Sequence, residues 1–324
     1  YLENNKNQDD YPENLFNQAK NWINIYKNSN LFLFLHTYEV HGPYAPPYPY
    51  NEIFLKNNAK WKRAHPTKIL GKWKETNSIL TDEEKQNLID LYDGEIKYTD
   101  ECLIKPLIEE LKKLNLYDKT MIIFTSDHGE EFLEHGSLEH CHTLYQEILH
   151  VPLIIKFPNS QYKGTKIEDL VREIDIMPTI LEMLNINSYK YKFDGESLIK
   201  IIRKRKKKSL TSIGFKFSPE YEEQYKVNFI LGKISVNTNK YKLILNQGEP
   251  KFKGEFTHAE LYNLRNDFSE KNNLANSERT ITRNLLKELK PYCKEATKVK
   301  SMIFRKEVIN KELEKRLKAL GYIQ

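Results

Sequence analysis

Residues 125–145 read TSDHGEEFLEHGSLEHCHTLY, which places one aspartate and four histidines, Asp127, His128, His135, His140 and His142, within sixteen positions. A carboxylate offers a hard oxygen and an imidazole a borderline nitrogen, and together they make a donor set for a divalent ion. Adjacent side chains on extended backbone point to opposite sides, so Asp127 and His128 reach one ion only where a strand is ending. Gly129 then lets the backbone turn sharply around the ion. The spacing 135, 140, 142 is not the i, i+4 pair of a helical HExxH zinc site. A second set lies upstream, where His36 closes the apolar run LFLFLH (31–36) and His41 follows in the loop TYEVHGPYAPPYPY. Singly, each has a plainer reading: Asp127 caps a following helix, His36 is a core histidine and His41 lies on a loop surface. Their recurrence at the ends of successive apolar runs points to chemistry.

The elements that position them follow from apolar patterning. LFLFLH (31–36), TMIIFTS (120–126) and VPLIIKF (151–157) predict three buried strands. Thr81 and Glu84 stand at capping-box spacing ahead of Leu88, Leu91, Ile96, Leu103, Leu107, Leu111 and Leu114, which predicts one long helix bent near Pro106. A further helix is expected over 175–184. Apolar strands alternating with helices predict an α/β fold with a mostly parallel sheet flanked by helices, in which ligands bind at the carboxyl ends of the strands. Beyond residue 208 the pattern changes to alternating runs separated by Asn, Gly and Pro. SLTSIGFKF, NFILGKISVNTNKYKLILN with a hairpin at NTNK, and AELYNL predict a small antiparallel sheet, followed by helical pieces at TITRNLLKELKPY and NKELEKRLKALGYIQ. The expected division is an α/β domain over 1–202 and an α+β subdomain over 209–324.

Bulk properties narrow the function classes. The 324 residues carry 51 Lys and Arg against 45 Asp and Glu, a net +6 spread over most of the chain, which does not point to nucleic acid. The basic run RKRKKK (203–208) has no interleaved aromatic residue and reads as a solvated segment. Cys102, Cys141 and Cys293 offer no CxxC spacing, and neither require nor exclude an oxidising compartment. No run approaches eighteen apolar residues, so no transmembrane segment is expected in this chain. No signal peptide is visible, although the chain begins with Tyr rather than Met.

An ordered series of segments resembles the sulfatase family of the alkaline phosphatase superfamily. It runs FLFLHTYEVHGPYAPP, YDGEIKYTDECLIKPLIEELKKLNLYDKTMIIFTSDHGEEFLEHG, HTLYQEILHVPLIIKFP, VREIDIMPTILEML, DGESL, ELYNLRNDFSEKNNLA and LKALGYI, spanning 31–324. The resemblance implies an alkaline phosphatase-like α/β domain with a smaller C-terminal sheet. It also implies a divalent metal and hydrolysis of a sulfate ester, a sulfated sugar or small organic sulfate, through a covalent intermediate. By the same resemblance Asp127 and His128 are the metal ligands. His41 contacts the sulfuryl oxygens, and His140 contacts the substrate beside the leaving group. The family's usual ion is calcium, which prefers oxygen, and the nitrogen of His128 suits manganese or zinc at least as well. An exported or periplasmic location is likewise implied. SDHGE followed by His140 also resembles phosphoethanolamine transferases and phosphonate ester hydrolases of the same superfamily.

The sequence departs from the family in one respect that decides chemistry. The Cys/Ser-x-Pro-x-Arg motif that yields the formylglycine nucleophile does not occur: Cys102 is followed by LIKPL, Cys141 by HTLYQ and Cys293 by KEATK. The family's opening strand with paired aspartates is also absent from these residues. The chain is therefore expected to be a fragment of a metal-dependent sulfuric ester hydrolase, incomplete at its N-terminus. The remaining alternative is a non-catalytic homologue that binds metal or sulfated glycans.

Overall fold

The computed structural model describes residues 11–55, 80–186, 192–203, 212–222, 226–246 and 258–299. They fall into two compact units that interleave along the chain. The first comprises Tyr1–Ser126, Glu130–Glu139 and Pro152–Gln161, and the second Asp127–Gly129, His140–Val151 and Tyr162–Gln324.

The first unit is mainly helical. Helix α1 (Pro12–Tyr26) starts on a proline, whose missing N–H would be unpaired there anyway. After the short α2 (Tyr50–Ile53), α3 (Asp82–Thr99) begins with the expected capping box: Thr81 Oγ1 accepts the Glu84 N–H at 3.2 Å and Glu84 Oε2 accepts the Thr81 N–H at 2.8 Å. A π-helical turn, Asp100–Ile104, separates α3 from α4 (Lys105–Lys113). Pro106 cannot donate a backbone hydrogen bond, and the wide turn just before it is where the helix absorbs that loss. Leu88 and Leu91 of α3 join Tyr44, Leu80, Phe132 and Leu138 in one core cluster. The Tyr44 ring sits 5.5 Å from those of Tyr92 and Phe132, and its hydroxyl donates to Glu130.

Strands β1 (Ile122–Thr125), β2 (Glu131–Phe132), β3 (Leu138–Glu139) and β4 (Leu153–Lys156) complete this unit. The α/β character stands, with one correction of its form: every ladder among the described residues is antiparallel. Strand β1 runs against β4, with Ile122 opposite Lys156 and Thr125 opposite Leu153, and β2 pairs with β3. The expected buried strand at 31–36 is also corrected. That segment is not a strand, and Phe32 and Phe34 are 73% and 75% exposed. A strand needs a neighbour to take its N–H and C=O groups, and no strand among the described residues pairs with it. Strands β1 and β4 are likewise less buried than their composition predicts, with Phe124 exposed and Ile154 63% exposed.

The second unit holds α5 (Gln146–Leu149), α6 (Ile176–Met183), α7 (Ile199–Ile202) and a four-stranded antiparallel sheet of β5 (Ser212–Glu222), β6 (Lys226–Asn237), β7 (Tyr241–Asn246) and β8 (Ala259–Asn263). The last element among the described residues is α8 (Arg279–Val299). The NTNK hairpin forms as predicted: Thr238 N–H donates to the Tyr241 carbonyl at 2.8 Å, and its hydroxyl oxygen accepts the Tyr241 N–H at 2.9 Å. Alternation along β7 sorts its two faces. Leu243 and Leu245 pack with Ile234, Val236, Leu261 and the α8 residues Leu285, Leu286 and Leu289, whereas Ile244 packs with Leu144 and Tyr262. Ahead of α6, the buried Asp175 accepts Arg172 Nη2 at 2.8 Å, Arg172 Nε at 3.2 Å and the Glu196 N–H at 2.8 Å. The predicted helix at NKELEKRLKALGYIQ and residues 204–208 of the basic run lie outside the described residues. Among those described, no helix is long and apolar enough to cross a membrane.

Candidate active site

The chain leaves β1 at Thr125 and turns through Asp127, His128 and Gly129. No helix follows Asp127, since the next element is the two-residue β2, so the capping reading of Asp127 does not hold. Its Oδ1 instead accepts the N–H of His128 at 3.1 Å. Gly129 is needed for a close approach rather than for a turn: its N–H donates to the Ile148 carbonyl at 2.8 Å, and a Cβ placed there would stand 1.9 Å from the Glu147 carbonyl oxygen. The turn is thereby fastened to α5.

That fastening orients His128. Its Nδ1 lies 2.9 Å from the Gly129 carbonyl oxygen. A carbonyl only accepts, so in the neutral ring Nδ1 carries the proton and the lone pair sits on Nε2. Nε2 is 3.8 Å from Asp127 Oδ1. Two donors each about 2.2 Å from a shared ion, at the 90–120° angles usual for such sites, stand about 3.1–3.8 Å apart. The oxygen and nitrogen therefore have both the chemistry and the spacing to share a divalent cation. Asp127 is exposed and His128 about one quarter exposed, which leaves an ion access from solvent. Nearby negative charge favours the same occupant. The Glu173 carboxyl, just ahead of α6, is pushed above the usual carboxylate range by burial and, secondly, by the charge of Asp127.

The structure brings His140 to the same place. Its ring stacks on that of His128 with centroids 4.0 Å apart and planes 28° from parallel. His140 is flanked by two non-glycine residues in the left-handed region, Glu139 at φ 63° and Cys141 at φ 69°. Each such residue costs roughly 1 kcal/mol or more, and strain of this kind concentrates where a side chain must be aimed.

The other histidines go elsewhere. His41 belongs to the first unit, where its Nδ1 lies 2.8 Å from the Gly42 carbonyl oxygen, so the neutral ring again presents its lone pair on Nε2. Gly42 approaches the carboxylate of Glu139 so closely that a Cβ would stand 2.8 Å from Oε1. His135 lies in a turn shaped by the buried Glu131, whose Oε1 accepts the N–H groups of His135 and Ser137, both at 3.0 Å. His142 is exposed, and so is His36, whose ring meets those of Phe34 and Tyr38. Neither Cys102 nor Cys141 is in a disulfide. Sequence reasoning did not single out Glu173, which sits in a run with no metal-ligand spacing. It also missed the charged set behind α5 formed by Lys242, Glu270 and Gln146, because a lone Lys in an alternating strand carries no signal of burial.

Comparison with known proteins places these observations in context. The profile of the sulfatase family matches residues 1–186, and that of the N-sulphoglucosamine sulphohydrolase C-terminal region matches residues 134–298. Arylsulfatase K of Mus musculus is 27% identical over 240 residues, 71% of this chain and 41% of that protein. The chain spans less than half the length of the curated relatives it matches. Among solved structures, phosphonate monoester hydrolase from Silicibacter pomeroyi superposes with a TM-score of 0.62 at 20% identity, covering 92% of this chain and 62% of its own. A protein solved with its substrate D-glucosamine-2-N,6-O-disulfate superposes with a TM-score of 0.50 at 22% identity, covering 74% of this chain and 48% of its own. At these identities the two structures speak for the fold.

Proposed function

This chain belongs to the sulfatase family, and from that premise we propose that it supplies the metal-binding and leaving-group side of a sulfuric ester hydrolase site. The observation that carries the reading is the turn at 127–129: Nδ1–H of His128 donates to the Gly129 carbonyl, which leaves Nε2 3.8 Å from Asp127 Oδ1, with His140 stacked at 4.0 Å. Asp127 and His128 hold the ion, calcium by family likeness, with manganese or zinc suited to the imidazole nitrogen. A bound divalent cation supplies electrostatic stabilisation of the charge on sulfuryl oxygens. His140 lies beside the leaving oxygen and donates the proton that the departing alcohol requires. By family likeness His41 is the residue that would contact a sulfuryl oxygen; with Nδ1–H held by the Gly42 carbonyl, it would donate there from Nε2 as the imidazolium. The nucleophile is not among these residues, which carry no Cys/Ser-x-Pro-x-Arg motif. The substrate class is a sulfated sugar or small organic sulfate, supported by the sulfated amino sugar that one structural neighbour binds.

The test is calorimetric titration of the 324-residue chain with Ca2+ and Mn2+, beside an Asp127→Ala variant. Saturable binding lost in the variant supports the reading, and binding equal in both overturns it. Turnover is then assayed on 4-nitrophenyl sulfate and 4-nitrophenyl phenylphosphonate, with the chain and with the product of its reading frame extended upstream. Phosphonate turnover without sulfate turnover would favour the second reading, a phosphoryl-group hydrolase, which draws on the likeness to the phosphonate monoester hydrolase fold.

A further inference from the structure

We infer that the buried ion pair of Lys242 and Glu270 is a positioning device that holds the Asp127–His128 turn through α5. The inference rests on the reading of Asp127 and His128 as metal ligands. Both side chains of the pair are fully buried, with Lys242 Nζ 3.0 Å from Glu270 Oε1. Lys242 Nζ also donates to Gln146 Oε1 at 3.3 Å, and Glu270 Oε2 accepts the backbone N–H of Gln146 at 2.6 Å. The two charges thus converge on one residue, the first of α5.

From Gln146 the connection to the turn is short. One and two residues on, the carbonyls of Glu147 and Ile148 face Gly129: the first leaves no room for a Cβ, and the second takes its N–H at 2.8 Å. Gly129 in turn holds the ring of His128 through its own carbonyl. A second anchor lies on β8, where Glu260 Oε2 accepts the hydroxyls of Tyr145 at 2.6 Å and Tyr262 at 2.7 Å.

Packing alone gives no reason for the ion pair. Lys242 lies in β7 on the face opposite Leu243 and Leu245, the face on which Ile244 packs with Leu144. An apolar residue would suit that surface, and replacing a buried ion pair with apolar residues is often neutral or stabilising. Burial resists both charges: it holds the Lys242 ammonium down to about 8 and pushes the Glu270 carboxyl up. What the pair provides, and an apolar contact would not, is a directional grip on the Gln146 backbone. Groups that orient metal ligands from behind typically change metal affinity 10- to 100-fold when removed.

The test removes both charges at once with Lys242→Met and Glu270→Leu, because either change alone strands a buried charge and a glutamine at 270 would still accept the Gln146 N–H. Two readouts are taken on the full chain: the Mn2+ dissociation constant and the amide hydrogen-exchange rate of Gly129 without metal. The expected result is a folded double variant with an unfolding midpoint near the parent's, a Mn2+ affinity weakened about tenfold or more, and Gly129 exchange accelerated at least tenfold. Unchanged Gly129 exchange in the folded double variant overturns the inference. Faster Gly129 exchange in the double variant, where the parent chain itself binds no Mn2+, supports the mechanical link and instead sinks the metal reading. Should the double variant not fold, Gln146→Pro, which at the first position of α5 is tolerated by the helix and removes the N–H that Glu270 accepts, is read by the same exchange rate, and an unchanged rate there counts against the inference.

Discussion

Gly129→Ala is the sharpest single perturbation of the turn. The added Cβ would lie 1.9 Å from the Glu147 carbonyl oxygen and 3.0 Å from its carbon, both backbone atoms that no rotamer change can move. Reaching ordinary van der Waals separation of about 3.5 Å requires the turn and α5 to part by about 1.6 Å. That displacement breaks the 2.8 Å hydrogen bond from Gly129 to Ile148. Overpacking costs about 1–3 kcal/mol and the lost hydrogen bond about 1 kcal/mol, so the expected destabilisation is about 2–4 kcal/mol. Urea denaturation measures it, with Gly136→Ala and Gly164→Ala as controls. A Cβ at either control position meets nothing within 4 Å, and the strain there comes only from φ of 89° and 72°, at roughly 1–2 kcal/mol. Gly129→Ala should exceed both and should also weaken Mn2+ binding. A loss within about 0.5 kcal/mol of the parent, the scatter of ordinary surface changes, would refute the close-approach argument.

Two further outcomes follow from buried charge. Asp175→Ala leaves the Arg172 guanidinium and the Glu196 N–H without their shared acceptor and should destabilise the chain by about 3–5 kcal/mol; a change below about 1 kcal/mol by urea denaturation would contradict the role given to Asp175. For Lys242 the folded pKa of about 8 lies below the ordinary 10.5, so between those values the unfolded chain holds a proton that the folded chain has lost. Stability relative to Lys242→Met should therefore rise with pH across that window, by about 1 kcal/mol per unit, and a difference that stays flat from pH 8 to 10.5 would show that the ammonium is not desolvated.

Local signals in the sequence carried well into the structure. The Thr81–Glu84 box, the NTNK hairpin and the antiparallel C-terminal strands all depend on short-range chemistry that a few residues specify. Of the histidines that the sequence singles out, the structure places the rings of His128 and His140 in contact. Failures came where the outcome depends on distant partners. Apolar composition at 31–36 predicted a buried strand, but burial and pairing need a neighbour that composition does not encode. The same limit hid the direction of β1 against β4, since an apolar run reads alike in parallel and antiparallel sheets. Lys242 was invisible for the converse reason: only the fold brings Glu270 and Gln146 to it.

The interleaving of the two units also bears on how such a chain can evolve and be dissected. The polypeptide passes between them five times, and the stretches 127–129 and 140–151 that carry the candidate ligands are islands of the second unit within sequence belonging to the first. No single cut releases either unit whole. A recombination event at any of the later four crossover points would separate His128, alone or with His140, from the C-terminal sheet, so the turn, α5 and the C-terminal strands are bound to be inherited together. Substitutions at Gly129, Gln146 and Glu270 should accordingly compensate one another across lineages, although more than a hundred residues separate the first from the last.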